Sequence, residues 1–159
     1  MLDPAAKKSV LRQFTYGLYA VSCAHEGDTN AFTANWLTQV SFDPPMIAVS
    51  VENDSASLPI IRASGRFGVN AFAGGQRDLA GSLGKPRSRV GDKLAAVAHT
   101  LSPSGLPILS DALGYVECQV TGELPAGDST VVVGEVVYAQ ALRDGEPLTM
   151  REAGFRHFG

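Results

Sequence analysis

The sequence of 159 residues is poor in the signatures that usually announce an enzyme. It has no GxSxG elbow, no GxxxxGK phosphate loop and no GxGxxG, so a hydrolase elbow, a P-loop NTPase and a Rossmann dinucleotide fold have no support. Its three histidines, His25, His99 and His157, are far apart and show no HExxH-like spacing, so no metal site is expected. Only two cysteines occur, Cys23 and Cys118, each in an apolar run without a CxxC partner. They read as buried free thiols of a reducing compartment. Charge of either sign is sparse: 13 Lys and Arg against 16 Asp and Glu give a net −3. The one basic concentration, "GKPRSR" at 84–89, is too short to form a nucleic-acid footprint. No apolar run approaches the ~20 residues of a membrane helix. The start, "MLDPAAKKSV", has no apolar leader segment, which makes a cytoplasmic protein the expectation.

What is present is 45% apolar, enough for a buried core, and nothing divides the chain; one domain over 1–159 is expected. Asp3 and Pro4 are helix-start residues, Val10, Leu11 and Phe14 give a short apolar face, and Gly17 should end that helix. "LYAVSCA" (18–24) reads as a strand. "AFTANWLTQVSFDPP" (31–45) reads as a second, interrupted by Pro44 and Pro45, because proline cannot donate to a ladder. "MIAVSVE" (46–52) is a buried strand. "NDSASLPIIRASG" (53–65) opens with cap-type residues and closes on Gly65, as a helix should. A strand over "RFGVNAFA", a short helix over "GGQRDLAGSLG", a turn-rich stretch "LSPSGLPILSD" and a long hairpin joined at "PAGD" (125–128) complete the pattern. About six strands with a few short helices imply a mostly-β barrel.

Two polar groupings stand out. Thr33 and Asn35 alternate with Ala34 and Trp36, so on a strand they share one face. Asn53, Ser55 and Ser57 precede or open a helix, whose unpaired N–H groups can hold a phosphate. Taken singly, these are a solvated strand face and a helix cap. Together they fit one ligand with a phosphate at one end and a polar edge at the other, covered by Phe32, Trp36 and Phe72.

Five segments, "YGLYAVSC", "FTANWLTQVSFDPPMIAVSVENDSAS", "SGRFGVNAF", "LPILSDALGYVECQV" and "AGDSTVVVGEVV", run in the order found in the flavin reductase-like FMN-binding split-barrel family. The chain resembles that family over 17–137. The resemblance implies a six-stranded Greek-key split barrel, a homodimer, and FMN near the dimer interface. Matched position by position, it implies that Thr33, Ala34, Asn35 and Trp36 meet the flavin ring and ribityl chain, with Gln39 and Ser41 on the continuation. Ser50, Asn53, Ser55 and Ser57 fall on the phosphate side, Phe72 and Ala73 near the ring. Lys85 and Arg87 sit where a basic loop could reach a phosphate or a nicotinamide nucleotide. One position departs: many members read Gly-Asp-His-Thr in the last hairpin, where this chain has Gly127-Asp128-Ser129-Thr130.

The implied activity is hydride transfer from NADH or NADPH to FMN, with a monooxygenase or an electron-transfer protein as onward partner. The alternative, favoured by Ser129, is a flavoprotein that only relays electrons to a protein partner. The tail 155–159 is either a free end or a cover for the flavin pocket.

Overall fold

The computed structural model describes residues 1–157. Its main sheet is wholly antiparallel and has seven strands: β1 (Tyr19–His25), β2 (Asp28–Ala34), β3 (Leu37–Phe42), β4 (Pro45–Glu52), β5 (Arg66–Ala71), β8 (Gly114–Ala126) and β9 (Ser129–Ala141). A separate pair joins β6 (His99–Leu101) to β7 (Pro107–Leu109). The helices are short: α1 (Pro4–Leu11), α2 (Ser57–Ser64), α3 (Arg77–Leu83), α4 (Arg87–Val90) and α5 (Met150–Ala153).

The main sheet has one strand more than the six expected, because the segment 31–45 is two strands. The chain leaves β2 at Ala34, bends through Asn35 and Trp36, and enters β3 at Leu37. These two strands lie at opposite ends of the order β2-β1-β5-β8-β9-β4-β3. In a flat sheet with strands ~4.8 Å apart they would be about 29 Å from each other. Two linking residues reach only about 11 Å. The sheet must therefore roll up until its two end strands meet at the Asn35–Trp36 corner.

Side chains fill the roll on both of its faces. Val21 and Cys23 point one way with Val49, Val51, Leu58, Ile61, Phe67, Cys118 and Val132. Leu18 and Ala20 belong to the opposite cluster, with Phe72, Ala80, Leu83, Leu109 and Leu148. This alternation follows from the period of two along β1. Cys23 and Cys118 are free, as expected, and burial pushes their thiols up to about 11 and about 12.

Local chemistry explains the boundaries, including those the sequence misleads on. The Asp3 side chain accepts from the Ala5 N–H (2.9 Å) and starts α1, but the helix stops at Leu11 rather than at Gly17. Val10 and Phe14 remain exposed, so no packing extends it. Gly17 instead forms a bridge with Thr149, and a Cβ there would lie 2.5 Å from the Tyr19 hydroxyl. Helix α2 begins at Ser57, four residues later than the first cap-type residue, and ends on Gly65 at φ 66°. The stretch expected to be irregular, 101–111, contains the buried strand β7, tied to the sheet through Asn70. The Asn70 Oδ1 accepts from the Leu109 N–H (2.9 Å), and its Nδ2 donates to the Pro107 carbonyl (3.4 Å). The long hairpin turns on Gly127 and Asp128, with Gly127 at the positive φ that a primed turn requires.

Gly134 on β9 faces this packed interior. An added Cβ would stand 2.7 Å from the Phe67 ring and 2.9 Å from Cys118 Cβ. Gly134→Ala should lower unfolding free energy by about 1–3 kcal/mol through overpacking. Gly122→Ala on β8, where a Cβ meets nothing within 4 Å, is the matched control and should be near neutral. Urea midpoints of the two variants check this.

Candidate functional site

A cavity of about 800 Å³ lies against the Asn35–Trp36 corner. One wall is β2, with Phe32 and Thr33. A second is the end of β4 and the approach to α2, with Ser50, Glu52, Asp54, Ser55 and Ala56. The third is the segment after α3, with Lys85, Pro86, Arg87 and Ser88, backed by Lys93. The tail residues Phe155, Arg156 and His157 complete the lining.

Of the site residues expected from sequence, the fold brings Thr33, Ala34, Asn35, Trp36, Ser50, Ser55, Lys85 and Arg87 to this one cavity. The others do not line it. Gln39 and Ser41 lie past the corner on β3, where the Gln39 amide bonds the Ser41 carbonyl (3.0 Å). Asn53 is turned toward the hairpin, donating to the Gly127 carbonyl (3.3 Å) and accepting from Thr130 Oγ1 (2.8 Å). Ser57 is buried and accepts from Asn30 Nδ2 (2.8 Å). Phe72 is core, and Ala73 bridges to Pro147 instead.

Thr33 and Asn35 reach the cavity, but their donors are engaged by the protein. Thr33 Oγ1 donates to the Ala80 carbonyl (2.6 Å), fixing α3 to β2. Asn35 Nδ2 donates to the His157 carbonyl (2.9 Å) and contacts Met150 Sδ (3.3 Å). They assemble the walls, which a reading of strand faces alone does not reveal. Trp36 is 39% exposed, so its ring is an apolar surface left open to a ligand.

The helix start is also leaner in donors than the sequence implies. No side chain caps Ala56, the N-cap of α2. Ser55 Oγ accepts from the Ser57 N–H (3.2 Å), and Pro59 has no N–H to offer. Glu52 and Asp54 add carboxylates to this wall. Positive charge comes from across the cavity. Arg87 pairs with Asp28 (2.8 Å), which holds the loop against β2. Lys93 donates to the Leu83 carbonyl (2.8 Å), and burial lowers its ammonium pKa to about 8. Sequence reasoning missed Lys93: it follows the basic loop with no periodicity or motif of its own, and only the fold delivers it.

The described part of the tail is not a free end: Phe155, Arg156 and His157 line the cavity. Arg77 holds it by donating to the Ala153 carbonyl (2.6 Å) and lying 5.5 Å over the Phe155 ring. The end of the tail, 158–159, lies outside the described residues. Among the described residues no cluster of His, Cys, Asp and Glu could hold a metal ion, and no helix is long and apolar enough to cross a membrane.

A family model described as a flavin reductase like domain matches residues 11–159. The chain is 32% identical over 137 residues to a probable flavin reductase of Rhizobium meliloti (strain 1021), covering 86% of itself and 43% of that relative. It is 32% identical over 162 residues to an NADH-dependent flavin reductase of a Rhodococcus species, covering 98% of itself and 86% of the relative. In three dimensions it is similar to nitrilotriacetate monooxygenase component B from Mycobacterium thermoresistibile. That likeness has a TM-score of 0.83 at 31% identity and covers 91% of this chain and 80% of the other. This chain thus spans less than half the length of the Rhizobium relative but most of the other two. A match that takes in the corner, all three cavity walls and the tail places the chain in the flavin reductase-like domain family.

Proposed function

We propose that this protein is an NAD(P)H-dependent flavin reductase that holds FMN in the cavity at the Asn35–Trp36 corner. The observation that carries this reading is the make-up of the cavity. Its volume suits a cofactor-sized ligand, and it joins an open aromatic surface at Trp36 to small hydroxyls and a half-buried cation. Such a donor set fits FMN: a flat ring against Trp36, and a phosphate between Ser55 and the basic side built from Lys85 and Lys93. The two corner residues lie outside both strands, with the Trp36 carbonyl pinned by the Ser50 N–H of β4 (2.9 Å). When bound, the flavin supplies the redox chemistry, accepting a hydride from the reduced nicotinamide and handing the electrons on. The chain's own work is to place the ring, neutralise the phosphate and exclude water. This explains why its sequence carries no acid–base or nucleophile constellation.

The rest of the reading follows the family. The rolled sheet is a split barrel forming a single domain, and the protein is a homodimer in the cytoplasm. Its reduced flavin goes to a monooxygenase partner, as the relationship to component B of a monooxygenase supports. Dimerisation is supported by the terminal strand β3, which leaves Phe42 92% exposed and Val40 beside it in solution.

Three outcomes are expected. Purified protein mixed with FMN should acquire a bound-flavin spectrum and consume NADH or NADPH in steady state. Flavin binding with negligible consumption would replace the reductase by an electron carrier. Secondly, a phosphate seat that includes Lys93 makes FMN affinity depend on pH. The ammonium is charged below about 8 and neutral above it, so affinity should fall as pH rises through that value. Lys93→Met should weaken FMN binding roughly 10- to 100-fold at pH 7 and flatten the profile. An affinity constant from pH 7 to 9.5 would remove Lys93 from the seat. Thirdly, light scattering should give a dimer, and Phe42→Glu should shift it toward monomer.

A further inference from the structure

We propose that His157, on the C-terminal tail, is the residue of this chain that contacts the nicotinamide of the hydride donor. The inference rests on the flavin reductase reading. It starts from how firmly the imidazole is placed. Two elements reach this residue: from the corner, Asn35 Nδ2 bonds its backbone carbonyl at 2.9 Å and the Trp36 ring lies 5.4 Å from the imidazole at 42°, and from β4, Glu52 Oε1 is 3.7 Å from its Nε2. Upstream, the Arg77 contacts to Ala153 and Phe155 fix the course of the tail. His25 and His99 do not line the cavity, so His157 is the one imidazole among its described lining residues.

Position decides which ligand it meets. The groups suited to FMN lie on the core walls. The His157 side chain is 60% exposed and lies beside the partly exposed Trp36 ring on the cavity's lining. A second ligand that must reach a flavin already in place enters from solvent, past this residue. Glu52 marks the same spot from the other side. It is the cross-strand partner of Ser129, and Ser129 lines both this cavity and a smaller one of about 320 Å³ bordered by Phe14, Tyr16 and Trp36. The imidazole therefore stands where the flavin cavity opens toward a second, aromatic space.

The chemistry fits a nicotinamide carboxamide. Glu52 beside Nε2 favours the tautomer that carries its N–H there, which leaves Nδ1 as an acceptor. A carboxamide N–H is the matching donor. Glu52 thus positions His157, and His157 makes the contact. No proton needs to move.

The test compares His157→Ala and His157→Gln with the unmodified, FMN-loaded full-length protein. His157→Ala should raise KM for NADH about tenfold with kcat changed much less, the signature of a lost binding contact. FMN affinity should fall by clearly less than NAD⁺ affinity does. His157→Gln, which keeps an acceptor, should recover most of the KM. A second measurement does not need turnover. Trp36 is the only tryptophan, so its fluorescence can report NAD⁺ binding directly, and His157→Ala should weaken that binding about tenfold as well. Unchanged KM and NAD⁺ affinity in His157→Ala overturn the proposal. So does a parallel loss of FMN affinity, or a gain in kcat/KM that would make the tail an obstruction. Unmodified protein that binds FMN and NAD⁺ but never oxidises NADH sinks the reductase reading instead, while the NAD⁺ affinities still decide the role of His157.

Discussion

The structure turns on one covalent constraint: two residues, Asn35 and Trp36, must join the first and last strands of a seven-stranded sheet. That requirement rolls the sheet. It also creates a place where the backbone belongs to neither ladder and a large aromatic ring cannot be buried between strands. Ser50 N–H bonds the Trp36 carbonyl at 2.9 Å and so pins the corner to β4. Everything on the cavity's rim is then hung from this point. Thr33 carries α3, Asn35 carries the tail, and β4 runs on into the approach to α2. A ligand site here is a by-product of closing the roll with so short a link.

Charge is divided across the cavity. The wall at the end of β4 bears Glu52 and Asp54, and the facing side bears Lys85, Arg87 and Lys93. On the proposed reading a dianionic phosphate would be drawn to the second set, and of these Lys93 would matter most. An exposed ammonium is screened by water, whereas a half-buried one acts at lower effective dielectric. The same burial that lowers the Lys93 pKa strengthens its pull on an anion. Arg87 already has Asp28 as partner, so its main effect is to hold the loop. Glu52 is left to act on the imidazole rather than on the phosphate, which keeps the two ends of the cavity chemically distinct.

Much of this was legible from residue order. The buried run of β1, the glycine-stopped α2, the long hairpin and the polar segment 31–57 all follow from period, caps and turn chemistry. The break at Asn35 was not, because a strand that bends and a strand that continues share the same local composition. The distinction is made by the strands that flank each half. Helix α1 was overextended for a related reason: Phe14 looks like part of an apolar face, yet nothing packs there. In the site, Ser57 and Asn53 carry the right chemistry in the right segment. Their side chains are taken by Asn30 and by the hairpin, partners 27 and 77 residues away. Lys93 and Glu52 show the reverse case, ordinary charged residues whose importance comes only from what the fold sets beside them.

The tail extends this logic. Its last described residues have no sequence pattern, and a free end would be the default for such a segment. Besides the Glu52 contact to His157, it is held by four contacts of three kinds: a hydrogen bond and a cation–π contact from Arg77, a hydrogen bond from Asn35 and an aromatic contact from Trp36. Each is weak, about 0.5–1.5 kcal/mol. Their sum is enough to seat the segment without locking it. Half of those contacts come from the corner itself. Whatever displaces Trp36 or Asn35 therefore also loosens the tail, so the constraint that rolls the sheet couples the cavity wall to the segment that completes its lining.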